Sequence, residues 1–340
     1  MLVKDFDYEL PEERIAKFPP EKRGETRLLV LNKKTGEVRD SYYKNLVDFL
    51  NPGDVLILND TRVMQSRLFC ELEDGRKREL VVLEKHGDEP QRVMYRGKLH
   101  EGDKVFIKTE GAKNGTVQDI VITKILGNGI AEVKSDVPLS ELAESYGSVP
   151  LPPYLHRDAT ESDKERYQTV WAKNMGSSAA PTASLNMTAE LLEKLQQKGV
   201  IVKYLTPHVG LGTFLPIRTD KIEDHKMHSE WFSIPEDTLK AINSAKERHS
   251  RVIAVGTTVA RTLEYFAKTK KASGEDDIFI YPGFKFKIVD VLLTNFHAPK
   301  STVLMLASAF AGWDNLKNAY EYAIDNDYNF LSYGDSMLIC

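Results

Sequence analysis

The sequence predicts an α/β fold: a large domain of alternating strands and helices, split along the chain by a small β domain. Three observations carry this. Strand-like and helix-like segments alternate over residues 1–62 and again over 149–340. Between them, over 63–148, short β-type segments follow one another with glycine-bearing turns. Residues 290–312, DVLLTNFHAPKSTVLMLASAFAG, run from an apolar strand through a polar loop into an apolar helix. That arrangement is where an open α/β sheet holds its ligands.

Taken in order, 28–31 (LLVL) is a strand, 33–37 a turn, 45–50 a short helix and 55–58 (VLIL) a second strand. In the middle, strands are expected over 80–83, 92–95, 104–108, 119–125 and 130–133. Repeated short strands of this kind make a small barrel or a sandwich. The Pro-rich 149–154 (VPLPPY) is a stiff linker back to the large domain. A helix over 190–197 stops at Gly199 before a strand over 200–205. Pro235 opens a helix with Leu239, Ile242 and Ala245 on its apolar face. A strand over 251–255 and a helix over 257–266 follow, then a charged stretch, 268–277, that reads as a solvated loop. The segment 278–286 reads as the end of a strand with a turn at Tyr281-Pro282-Gly283. Last come a buried strand over 291–293 and a helix over 303–311 capped by Ser301 or Thr302.

At 340 residues, with 41% hydrophobic and 28% charged residues, the chain has the composition of a globular protein with room for two domains. A cytoplasmic location is expected: the start, MLVKDFDYEL, carries acids where a signal peptide carries bases, and no apolar run approaches the ~20 residues of a membrane span. Two cysteines do not make a disulfide framework. With 46 basic and 50 acidic residues the net charge is −4, so any nucleic-acid contact rests on a local patch.

Several segments suit chemistry. In the 290–312 stretch, Thr294, Asn295 and His297 sit in the loop after the strand. Gly256, Thr257 and Thr258 stand between a strand and a helix, where free N–H groups attract anionic or polar ligand atoms, with Arg261 one turn on. PHVGLGTFLP (207–216) brings His208 next to Gly210 and Gly212, which let a ligand pass close to the backbone. In HKMHSE (225–230), His228 and Glu230 share a face if the segment is extended, as an acid–base pair or, with His208 or His297, as metal ligands. Arg166, Tyr167 and Gln168 combine a cation, a ring and an amide, and Tyr281 is placed to stack on a base. Arg62, Arg67 and the run Arg76-Lys77-Arg78 suit an RNA backbone. Each also has a plain structural reading, as a capped turn, a packed ring or a solvated face.

Taken together the segments resemble the S-adenosylmethionine:tRNA ribosyltransferase-isomerase family of queuosine biosynthesis. The resemblance rests on DFDYELPEERIA, PGDVLILNDTR, PLPPY, ERYQTVWA, GSSAAPT, HVGLGTF, HKMHSE, RVIAVGTT, TNFHAPKST and SYGDSMLI, in that order. It implies a large α/β domain with a mixed sheet flanked by helices and an inserted small β-barrel, with boundaries at 1–62, 63–148 and 149–340. It also implies transfer and isomerisation of the ribosyl group of S-adenosylmethionine onto a 7-aminomethyl-7-deazaguanine of tRNA, with release of adenine and methionine. S-adenosylmethionine is then a consumed donor, with no permanent cofactor and no metal, and the protein is expected to be a monomer. On this reading His208, His228, Glu230 and His297 are the catalytic candidates. Tyr167, Thr182, Gly210, Gly212, Gly256, Thr257, Thr258, Arg261, Tyr281, Thr294 and Asn295 bind substrate, and Arg62, Arg67 and Arg166 bind tRNA. One departure stands out: in AAPTASLNMT (179–188), Asn186 replaces the family's His, and an amide does not titrate. A metal-assisted nucleotide hydrolase and a non-catalytic tRNA- or S-adenosylmethionine-binding paralogue remain as alternatives.

Overall fold

The structure is a computed structural model that describes residues 1–83, 90–107, 118–127, 129–210, 217, 219–227 and 229–340. His228 and Gly212 lie outside the described residues.

The large domain is built on a nine-stranded mixed sheet in the order Ser273–Asp276, Glu230–Ser233, Ile201–Pro207, Val55–Asn59, Val252–Val255, Val291–Asn295, Ser336–Ile339, Arg27–Leu31 and Val38–Tyr42. The four central strands, Ile201–Pro207 to Val291–Asn295, are mutually parallel; both outermost pairings are antiparallel. Successive strand residues point to opposite faces, so each central strand feeds two cores. Leu29, Leu31, Val55, Ile57, Val252, Ala254 and Leu292 join helices Glu236–Glu247, Thr257–Thr269, Thr302–Ala311 and Trp313–Asp325 on one face. Leu28, Leu56, Leu58, Ile253, Val255 and Leu293 join helix Ala189–Gln197 and the 3-10 helix Tyr43–Phe49 on the other. This double burial is why these strands read as continuous apolar runs.

The middle of the chain closes a six-stranded antiparallel barrel, so the barrel holds rather than the sandwich. Its way in and way out lie side by side: Arg67 and Ser148 exchange both backbone hydrogen bonds, 3.1 and 2.8 Å. Gly147 is required there, because a Cβ would fall 1.7 Å from the Gln65 carbonyl.

Some elements escape the pattern reading. The strands Val38–Tyr42 and Arg67–Leu72, both with polar residues, are absent from it. The stretch 268–277 is not a plain loop: it contains the edge strand Ser273–Asp276, whose Asp276 turns inward and is buried. An inward charge on an edge strand has the composition of a loop. Conversely, no strand forms over 278–286, where the apolar residues pack as irregular chain against the helices. Among the described residues no helix is long and apolar enough to cross a membrane.

Candidate active site

At the carboxyl ends of the parallel strands three loops converge on one cleft of about 920 Å³, its solvent mouth included. The strand Val291–Asn295 delivers Thr294, Asn295, Phe296 and His297. Gly256, Thr257 and Thr258 follow the strand Val252–Val255, and Ala180 to Ala183, with Thr182, come from the segment after strand Asn174–Ser177. Seven of the residues picked out in the sequence thus line one wall system: Thr182, Gly256, Thr257, Thr258, Thr294, Asn295 and His297.

The loop bearing His297 is held from behind. Phe296 packs among Tyr320, Tyr328 and Phe330, the His297 N–H donates to the Tyr320 hydroxyl at 2.9 Å, and Tyr8 donates to the His297 carbonyl. In front, His297 Nε2 and Thr294 Oγ1 share a hydrogen bond of 2.9 Å, which fixes the ring. Burial pushes the imidazole down to about 3, so it stands neutral at physiological pH. Asn295 is 3% exposed and its Nδ2 has no hydrogen-bond partner among the described residues. A buried donor left this way costs about 1–3 kcal/mol, and a ligand acceptor would recover it. Gly256 has φ +96°, a backbone that a side chain adopts only with strain, and no side chain caps the helix Thr257–Thr269 that it starts. Its first N–H groups therefore face the cleft with a helix dipole behind them.

None of the described residues lining the cleft carries a formal charge when His297 is neutral. A smaller annex shares Thr257, Thr258 and Val303 with the cleft and adds Thr302, Ile278, Phe279 and Arg261.

Other candidates are engaged within the protein. The Glu230 carboxylate accepts from the Gly210 N–H at 3.2 Å and from Arg261 at 2.5 Å. Arg261 also meets Asp276 at 3.2 Å and is 5% exposed, so its charge is neutralised within the protein, although it borders the annex. The three side chains are a buried strut joining the Gly210 loop to the helix behind Gly256. His208 stacks on Trp231, ring centroids 4.7 Å apart, outside the cleft lining. Tyr167 is fully buried, edge-on to Tyr333 at 5.8 Å, and cannot stack on a ligand. Tyr281 packs against Phe279 outside both cavities. Arg67 bonds the Leu151 carbonyl at 2.8 Å and pairs with Glu79 at 3.0 Å, bracing the barrel against the large domain rather than awaiting RNA.

Among the lining residues absent from the candidates read in the sequence, Tyr154, Leu331 and Ser332 come from distant parts of the chain. Tyr154, from the PLPPY linker, bonds to Ser332 from the C-terminal SYGDSMLI motif, and Leu331 beside it holds φ +68°, a strained value for a bulky residue. Both motifs carry the family resemblance, but nothing in their spacing places them near residue 297.

Asn186 is 2% exposed and donates to the Gly334 carbonyl at 3.1 Å, away from the cleft. Gly334 must be glycine, since a Cβ would lie 2.5 Å from the Asn329 carbonyl. Position 186 thus needs a buried donor, which an amide supplies without titrating. Among the described residues no group of three or more His, Cys, Asp or Glu could hold a metal; His228 lies outside them.

Such a neutral, polar-tipped cleft at the sheet's carboxyl edge, under an uncapped helix start, marks an α/β enzyme working on a small polar ligand. The family model described as queuosine biosynthesis protein matches residues 3–339, and the chain belongs to that family. It is 54% identical to the S-adenosylmethionine:tRNA ribosyltransferase-isomerase of Pelodictyon phaeoclathratiforme and 52% identical to that of Chlorobium phaeobacteroides, each over 100% of both chains. The solved S-adenosylmethionine tRNA ribosyltransferase from Thermotoga maritima is 33% identical, with a TM-score of 0.57, over 99% of this chain and 100% of that one.

Proposed function

We propose that the protein transfers the ribosyl group of S-adenosylmethionine to the aminomethyl group of a 7-deazaguanine at the tRNA wobble position and isomerises it, with release of adenine and methionine. The observation that carries this reading is the convergence of TNFH, GTT and AAPT on one uncharged cleft. A sulfonium is a cation, and a lining without Lys or Arg does not repel it. The methionine carboxylate is matched by the uncapped helix start at Thr257 and Thr258. The Asn295 amide donates to a sugar oxygen.

The reaction moves three protons: one from the attacking amine, one from the sugar carbon beside the sulfonium, and one to the departing adenine. His297 is the group in the cleft that is both uncharged at neutral pH and able to take a proton. S-adenosylmethionine is consumed and no resident cofactor takes part.

The test mixes metal-free, full-length protein with S-adenosylmethionine and tRNA carrying the aminomethyl-deazaguanine, and follows products by mass spectrometry. Adenine, methionine and an epoxycyclopentane-bearing nucleoside in equal amounts are expected. Binding of both substrates without turnover overturns the reading in favour of a paralogue. Turnover only after adding zinc or manganese overturns it in favour of metal-assisted chemistry.

A further inference from the structure

A second concavity, an open groove of about 1250 Å³, is lined by Arg23, Arg62, Lys164, Arg166 and, as the lone acid, Glu165. Four cations against one carboxylate are unusual on a chain of net charge −4. Two of them are held in place. Arg23 gives one nitrogen to the Gln168 and Leu185 carbonyls, both at 2.9 Å, and Arg166 is fixed by the Pro20 carbonyl at 2.6 Å. Those partners are neutral carbonyls, so neither guanidinium charge is balanced by them. Burial and the neighbouring charge of Arg166 push the Arg23 guanidinium below its ordinary value, as expected for cations short of anions. Arg62 is exposed on the strand Thr61–Val63 and makes no ion pair among the described residues. Lys164 meets Glu161 at 2.9 Å, an exposed pair that a phosphate can displace at little cost.

Apolar groups surround these cations. Val170, in the groove, is 48% exposed. Met175, paired with Arg62 across the two-stranded sheet, is 56% exposed. Fixed cations beside exposed apolar side chains match a single-stranded polynucleotide, which offers phosphates together with sugar and base faces.

The groove is also joined to the cleft. Ala172 lines one and Ala180 the other, so the two are at most about 28 Å apart, a reach of a few nucleotides. The densest basic run in the sequence is not part of this groove: it lies on the barrel, where Arg76 pairs with Asp74 at 2.7 Å and Arg78 donates to the Lys98 carbonyl.

We propose that this groove holds the phosphate backbone of the tRNA strand whose modified base enters the cleft. The proposal depends on the activity above for the identity of its partner. Strand phosphates lie on Arg62, Lys164, Arg166 and the free edge of Arg23, while Val170 and Met175 meet sugar and base faces. The barrel's basic run stays clear of the RNA.

The experiment measures binding of a fluorescently labelled tRNA transcript by anisotropy over a salt series, without S-adenosylmethionine. Arg62→Ala combined with Lys164→Ala changes two exposed side chains, and equal melting temperatures check the fold. The double variant should lose roughly tenfold in affinity, and the slope of log K against log salt should shrink by about 0.7–0.9 for each phosphate that is no longer neutralised. Arg76→Ala with Lys77→Ala should bind as the parent does. Calorimetric affinity for S-adenosylmethionine should be unchanged in both. Parental affinity and slope in the Arg62/Lys164 variant overturn the groove, and so does a larger loss in the barrel variant. Because tRNA binding is read without turnover, an inactive protein that binds through the groove sinks only the activity. An active one with unaltered groove variants sinks only the groove.

Discussion

The cleft and the groove stand at two ends of one short run of chain, residues 172–180, and follow opposite electrostatic plans. The cleft has no formal charge among its described lining residues, and its one titratable imidazole is held neutral by burial. The groove gathers four cations, and its two anchored guanidiniums are fixed by neutral carbonyls. A cationic sulfonium and a polyanionic strand must both approach this protein, and segregation lets each meet a surface that does not repel it. A third region, the buried Glu230–Arg261–Asp276 strut, holds one guanidinium between two carboxylates, so its cation is spent within the protein. Charge therefore marks function here only where it is left unbalanced.

Substitutions sharpen the contrast. His297→Ala should lower kcat/KM by about 10²–10⁴-fold and leave tRNA affinity untouched. If turnover survives, the proton carrier lies elsewhere. The same residue has a pH signature. Its folded value near 3 lies below the ordinary 6.5, so between those values the unfolded chain binds a proton that the native one does not. Its contribution to stability is full above about pH 7 and is lost as pH falls toward 3. Urea melts of His297→Gln across pH 4–7 should show a flatter acid limb than the parent.

Glu230→Ala should destabilise by about 1–3 kcal/mol, because it removes one of the two carboxylates from a buried guanidinium that keeps Asp276. Parental unfolding midpoints combined with lost turnover would return Glu230 to the catalytic group. Asn295→Ala is the opposite case. It should weaken S-adenosylmethionine binding by about 1–3 kcal/mol in calorimetry without lowering the melting temperature, since the amide nitrogen has no partner to lose. Smallest is position 186: Asn186→Ala should cost about 1–2 kcal/mol of stability by orphaning the Gly334 carbonyl, with activity per folded molecule retained. Activity abolished at unchanged stability would bring that side chain into the chemistry after all.

Much of this is legible in the chain. The runs at 28–31, 55–58, 252–255 and 291–293 are buried on both faces, so their composition alone marks them as strands. Gly256-Thr257-Thr258 and Thr294-Asn295-Phe296-His297 stand at strand ends, where local pattern and site coincide. Four candidates are taken up by partners within the protein, for one reason. Glu230, Arg261, Tyr167 and Arg67 have the residue types that chemistry uses. Whether such a side chain is free depends on partners far along the chain, respectively Arg261, Asp276, Tyr333 and Leu151. Tyr154 and Ser332 escape for the converse reason, since their meeting across the cleft leaves no periodic trace.

The sequence by itself determined the double-sided strands, the helix starts and the run of short barrel strands, because burial periodicity and backbone conformation are set within a few residues. Its ordered motifs determined the family. Only the tertiary structure decided which charges are cancelled and which are left for a ligand. Pairing is a property of distance in space, and the partners that silence Arg261 or leave Arg62 open are brought near only when the sheet and barrel have closed.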